Sequence, residues 1–254
     1  KPATIARLVE EVGVAKANLP LVPLITLAVL AGAFIALGGA AYTMAMTGAD
    51  PASGADRLIG GLAFSLGLIL VVVAGAELFT GNALMTIALV DGRISMRALL
   101  RNWLVVYAGN LAGAGLVAVA MAASGLLDGP MGVVAAKIAL AKAGLSLPEA
   151  FARGVLCNVL VCLAVWLAIA ARDVTGKFLA VVWPISAFVL LGFEHSVANM
   201  YLIPQGWLAG APVGAMDFAR NLVPVTLGNI VGGAGGVAMA YWLAYRRPSA
   251  SRSP

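Results

Sequence analysis

Charge is scarce in this chain: Asp, Glu, Lys and Arg together make up 11% of its 254 residues. Soluble domains carry about 25%, so a water-exposed globule is excluded. One histidine and two cysteines offer no ligand spacing for a zinc site, and no metal or other cofactor is expected. Cys157 and Cys162 lie five apart on different faces of one apolar segment, which rules out a bridge between them. Neither a histidine cluster nor a Ser-His-Asp arrangement stands out, so catalysis is not expected. The basic residues form no cluster of the kind that binds nucleic acid. The first 19 residues carry Lys1, Arg7, Glu10, Glu11 and Lys16. They lack the short apolar core and small-residue site of a cleavable signal, so none is expected.

What is abundant is apolar: 62% of the residues are hydrophobic and the mean hydropathy is +1.00, values that belong to an integral membrane protein. Crossing about 30 Å of hydrocarbon takes roughly 20 helical residues. Six runs are long enough, at 21–47, 58–90, 102–127, 154–171, 178 to about 202 and 221–245. An all-α fold with six transmembrane elements follows.

The second and fifth runs each contain a polar cluster. Gly75-Ala76-Glu77-Leu78-Phe79-Thr80-Gly81-Asn82 and Gly192-Phe193-Glu194-His195-Ser196-Val197-Ala198-Asn199 share the pattern Gly-x-Glu-x-x-x-x-Asn, 117 residues apart. A charge at mid-membrane depth costs roughly 3 kcal/mol or more unless it is paired or faces a polar cavity, and irregular backbone is tolerated there only when buried in protein or lining a cavity. Both runs therefore read as broken helices. Two such helices in corresponding halves mark a transport site. Further on, Gly109-Asn110 and Gly228-Asn229 open a Gly-Asn-x-x-Gly string in each half. Three spans per half is an odd number, so the halves form an inverted repeat, over about 20–127 and 145–246.

Eleven of the sixteen Lys and Arg residues sort to the face holding the termini; Arg57, Lys137, Lys142, Arg153 and Arg220 sort to the other. The positive-inside bias places both termini in the cytoplasm of an inner-membrane protein. Residues 1–19 then form a cytoplasmic amphipathic helix with Ile5, Leu8, Val9 and Val12 as its apolar stripe. It is read as an interfacial anchor in preference to a plug over a pore mouth. Residues 20–246 form the transmembrane domain, and 247–254 a cytoplasmic tail. Gly32, Gly38, Gly39, Gly109, Gly113, Gly228, Gly232, Gly233, Gly235 and Gly236 are read as points of close helix approach.

His195 is the only histidine. A neutral imidazole can donate to an anion and a protonated one can pass on a proton; the alternative is a core histidine bonded to a neighbouring helix. Glu194 does not pair with His195, because adjacent side chains point to different faces. Glu77 and Glu194 are read as structural acceptors for freed backbone amides or adjacent helices, with Asn82, Asn199 and Asn110 as further structural polar residues.

Four strings, 76–82, 156–164 (Leu156 to Ala164), 192–200 (Gly192 to Met200) and 224–230 (Pro224 to Ile230), carry a resemblance to the formate/nitrite transporter family that runs from about Ala15 to Tyr245. That resemblance implies an aquaporin-like protomer in a homopentamer, each protomer with its own pore in the lipid bilayer. Its substrates would be small monovalent anions such as formate, nitrite or hydrosulfide, with protons involved and passage dependent on pH. His195 matches the central histidine and Thr80 the hydroxyl of the broken second helix. Asn158 and Asn229 match asparagines linked to these, and Lys16 and Lys142 the lysines of the two vestibules. Phe64, Leu68, Leu78 and Phe188 fall at the apolar constrictions, unassigned between inner and outer. Gly81 resembles nitrite-type members, whereas Phe193 and Pro224 resemble formate-type ones, so substrate preference stays open, as does the choice between channel and proton-coupled transporter. The alternative is a water- or glycerol-type channel for neutral solutes, which carries Asn-Pro-Ala motifs where this chain has its two Glu clusters.

Overall fold

The computed structural model describes residues 1–246, and these contain helices and no strands. The tail expected at 247–254, with Arg247 and Arg252, lies outside the described residues. The chain runs through α1 (Pro2–Ala17), α2 (Leu21–Ala45) and α3 (Gly54–Leu70), which widens into a π turn over Val71–Gly75. A 3-10 turn (Gly81–Met85) leads into the short α4 (Thr86–Val90) and then α5 (Met96–Ala123). The second half follows with α6 (Pro130–Ala143), α7 (Leu147–Ala170), α8 (Val174–Leu190), α9 (Ser196–Leu208) and α10 (Ala215–Ile230). A π stretch over Val231–Ala238 joins α10 to α11 (Met239–Tyr245).

Local chemistry sets the helix starts. Ser53, Ser95 and Asp173 accept amide protons of their first turns, and Ser146 with Glu149 forms a reciprocal capping box on α7, each satisfying donors that would otherwise be unpaired. Among the described residues, five continuous helices are long and apolar enough to cross a membrane: Leu21–Ala45, Gly54–Gly75, Met96–Ala123, Leu147–Ala170 and Ala215–Tyr245. Gly81–Val90 and Val174–Leu190 are shorter apolar helices. At 1.5 Å per residue, the 17 residues of α8 rise about 25 Å, short of a bilayer core.

The helical path stops at the two Gly-x-Glu clusters. Gly75 and Gly192 take φ of +83° and +72°, a region that glycine alone enters without strain, and the backbone then leaves helix through Ala76–Leu78 and Phe193–His195, extended at Ala76 and at His195.

Close packing on small residues joins α2 to α5 and α7 to α10. A Cβ on Gly32 would collide with the Asn110 carbonyl and one on Gly113 with the Val29 carbonyl. In the other pair, Gly228 meets the Phe151 carbonyl and Gly232 the Val155 carbonyl. Such approaches are the main source of helix association in lipid. Gly235 departs from the expectation: it faces open space.

Two differences from the sequence reading bear on the site. The buried face of α1 is Ala6, Val9, Glu10, Gly13 and Ala17, whereas Leu8 and Val12 point outward. Glu10 is fully buried because Arg93 reaches it at 2.8 Å and Arg246 at 2.6 Å, so α1 is docked on the protein and not held by lipid contacts alone. The second difference is α6, a helix outside all six apolar runs, packed on α9.

Candidate functional site

The two breaks are held by the same bonds twice over. At the first, Glu77 Oε1 accepts from Lys16 Nζ at 2.6 Å and Oε2 from Asn82 Nδ2 at 2.7 Å. At the second, Glu194 Oε1 accepts from Lys142 Nζ at 2.8 Å and Oε2 from Asn199 Nδ2 at 2.6 Å. Asn82 also donates to Asn102 at 2.8 Å, and Asn199 to Asn221 at 2.8 Å. Lys16 sits in the last turn of α1 and Lys142 in the last turn of α6, so the repeated unit in each half includes a leading helix that apolar runs do not reveal.

Of the two kinds of donor expected for Glu77 and Glu194, freed backbone amides or adjacent helices, the second is found: Lys16 of α1 and Lys142 of α6, joined by the asparagines of their own clusters. The freed peptide groups bond an amide side chain instead. Asn110 donates to the carbonyls of Ala28 (2.7 Å) and Glu77 (2.9 Å) and accepts the Phe79 amide at 3.0 Å. Asn229 donates to Gly154 (2.7 Å) and Glu194 (3.0 Å) and accepts the Ser196 amide at 2.8 Å. A buried carboxylate requires an opposite charge, whereas neutral peptide groups are matched by a neutral side chain that both donates and accepts.

One polar contact crosses between the breaks. Thr80 Oγ1 lies 2.9 Å from His195 Nε2, both side chains buried. His195 is also the N-cap of α9, its Nδ1 accepting the Ala198 amide at 3.0 Å. An acceptor at Nδ1 leaves the neutral ring's proton on Nε2, directed at Thr80. Counting 117 residues from one break to the other, His195 corresponds to Leu78 and Thr80 to Val197, so the polar pair has no symmetric copy. Asn158 Nδ2 donates to the carbonyls of Thr80 (3.2 Å) and Asn229 (2.6 Å). Buried Asn158 Oδ1 and Ser196 Oγ have no partner among the described residues.

One cavity reaches His195 and a second reaches Leu78 and Gly81 beside Thr80. The first, of about 680 Å³, is lined by Phe64, Phe188, Lys142, Glu194 and His195; the second, of about 460 Å³, by Lys16, Leu68, Glu77 and Leu78. Phe64 and Phe188 meet edge to face at 5.5 Å, and Phe188 stacks on His195 at 5.9 Å. The four apolar residues thus divide two and two between the cavities. Sequence reasoning missed Asn102 and Asn221, although each follows an arginine and precedes Asn110 or Asn229 by eight residues. It also assigned no role to Arg57, Lys137 and Arg153, which line the larger cavity.

The sequence profile described as "Formate/nitrite transporter" matches residues 3–243. The chain belongs to the formate/nitrite transporter family. It is similar to a "Probable formate transporter" of Methanothermobacter thermautotrophicus, 44% identical over 264 residues covering 96% of each chain. It is 41% identical to "Formate channel FocA" of Escherichia coli K12, covering 97% of this chain and 94% of that one. The solved structure described as "Pentameric formate channel with formate bound" superimposes with a TM-score of 0.82 at 41% identity, covering 89% of this chain and 97% of that chain. This family membership makes the protein a multi-pass membrane channel for small anions, as the four strings implied, and a transport protein in place of an enzyme.

Proposed function

We propose that the chain conducts small monovalent anions, formate first among them, through a pore whose two mouths are the cavities on either side of Thr80 and His195. The contact between Thr80 Oγ1 and His195 Nε2, between one break and the other, carries the proposal. The relatives named as formate channels and transporters favour formate; nitrite and hydrosulfide remain substrates to be ranked beside it.

In this reading there are six membrane-crossing elements. The second is assembled from α3, its π turn, the first break and Gly81–Val90; the fifth from α8, the second break and α9. The halves are inverted repeats, each led by a surface helix, and the likeness to a pentameric channel supports a homopentamer. Both termini lie in the cytoplasm, α1 covering the smaller cavity's side, in the inner membrane.

A bare anion in an apolar passage is costly, so Phe64 with Phe188 and Leu68 with Leu78 act as the two constrictions, excluding bulk water and larger solutes. Between them the anion meets donors already oriented. His195 Nε2–H donates to Thr80 Oγ1 and so leaves the Thr80 hydroxyl proton for the anion, and the helix start behind Ser196 adds a positive end of the α9 dipole. The Ala198 amide on Nδ1 makes His195 a fixed neutral donor: protonating Nδ1 would set two donors against each other and remove the cap. Protonation of the anion, where it occurs, then comes from water in the cavities. Lys16–Glu77 and Lys142–Glu194 hold the breaks open, and the asparagines fix their backbone.

Uptake of labelled formate into proteoliposomes tests the reading. Thr80→Val and His195→Phe each remove one donor, and a loss of tenfold or more is expected from each. Full flux in both variants would return the pair to the core. Light scattering addresses the neutral-solute alternative: swelling in isosmotic ammonium formate is expected, and swelling only in glycerol would favour that rival.

A further inference from the structure

The larger cavity is electrically unlike the smaller one. Lys142 is neutralised by Glu194 at 2.8 Å, but Arg57, Lys137 and Arg153 also line it, and none of them has a carboxylate within salt-bridge distance among the described residues. Glu149, one turn before Arg153, is turned onto the Ser146 cap. In the smaller cavity the charged residues are Lys16 and Glu77, bonded to each other at 2.6 Å. One mouth therefore carries three uncompensated cations and the other a balanced pair.

Two of those cations, Arg57 and Arg153, belong to residues beside the second break. The Arg57 guanidinium lies against Gly192, where even a Cβ would come within 2.8 Å of Nη2. The Arg153 carbonyl accepts the Glu194 amide at 3.2 Å, which places the base of that side chain beside the break. Lys137 comes from α6. Guanidinium groups bind carboxylates through two parallel hydrogen bonds, and a partly enclosed wall screens such pairs less than open solvent does.

We propose that this cavity is a capture site for small dicarboxylate dianions, one carboxylate seated on Arg57 and the other on Arg153 with Lys137. The inference rests on the reading of the cavity as a pore mouth. A monovalent anion is concentrated there and moves on; a dianion gains a second pair of hydrogen bonds and is stopped at Phe64 and Phe188, because it would bring two charges into the apolar passage. A dicarboxylate is thus a blocker acting from one face of the membrane only.

Malonate is the probe. Formate flux in proteoliposomes of known orientation, with formate below saturation, is expected to fall tenfold or more when malonate is added on the face of the larger cavity. From the opposite face it is expected to change by less than twofold. The block should weaken as ionic strength rises. The double variant Arg57→Gln/Arg153→Gln should raise the inhibition constant at least tenfold, while Arg57→Lys/Arg153→Lys, which keeps the charge, should raise it less. Equilibrium dialysis of labelled malonate against the detergent-solubilised protein gives a readout independent of transport. Malonate binding without any formate flux would sink the pore reading and leave the site standing. Flux with no malonate binding, equal block from both faces, or a block untouched in the double Gln variant would each overturn the capture site.

Discussion

Thr80 and His195 lie 115 residues apart in the chain, and their side chains meet at 2.9 Å beside the larger cavity, which His195 lines. Each comes from the extended or turning backbone of a different break. The contact therefore depends on both breaks keeping their shape, and the flanking ion pairs and asparagines become part of the proposed pore.

The ion pairs can be tested through stability. Removing one member of a buried pair typically costs about 3–5 kcal/mol, because the other charge is left uncompensated. Glu77→Gln and Lys16→Met should each lower the melting temperature of detergent-solubilised protein measurably, and the double variant should recover part of the loss. Simple addition of the two losses would show that Lys16 and Glu77 do not act as a pair.

Packing between α2 and α5 makes a second test. Gly113→Ala would drive a methyl group into the Val29 carbonyl, and overpacking of this kind costs about 1–3 kcal/mol. A methyl group added at Gly115, two residues on, would meet no neighbouring atom within 4 Å, so Gly115→Ala should be neutral or stabilising by up to about 1 kcal/mol. Equal thermal stability of the two variants would contradict the packing account.

Phe64→Ala and Phe188→Ala should widen the constriction on the side of the larger cavity, since dewetted barriers depend on bulky side chains. Entrapped anions larger than formate, such as acetate, should leak several-fold faster from proteoliposomes. Unchanged selectivity in both variants would make these rings ordinary core aromatics.

Topology and assembly give a fourth expectation. Cysteines placed near Asp128 and Asp217 should label from outside intact cells, and one near Arg97 should not. Native mass spectrometry should find five copies of the chain. External labelling at Arg97, or a dominant tetramer, would refute this arrangement.

The two breaks were legible because Gly-x-Glu-x-x-x-x-Asn is out of place in an apolar run and occurs twice. Their partners were not. Lys16 precedes Glu77 by 61 residues and Lys142 precedes Glu194 by 52, so no local periodicity joins them. The 14 residues of α6 are too few for a span and carry two lysines, which hid that helix between the halves. Glu10 belonged by pattern to a polar face; it is buried because Arg93 and Arg246, far away in sequence, close over it. The sequence also left His195 open between donor and proton carrier. Its role as the cap of α9 depends on where the second break ends, which side-chain spacing does not encode.

That cap makes the decisive measurement simple. Asparagine at position 195 keeps an acceptor suited to a helix start and an N–H donor, while removing the group that titrates near neutral pH. Formate flux through His195→Asn and His195→Phe should be followed in proteoliposomes between about pH 5 and pH 8, beside the parent protein. A fixed neutral donor predicts that the Asn variant retains flux within about tenfold, with the parent's pH profile, while the Phe variant is strongly reduced at every pH. A flattened profile in the Asn variant would contradict the account and make His195 the proton carrier.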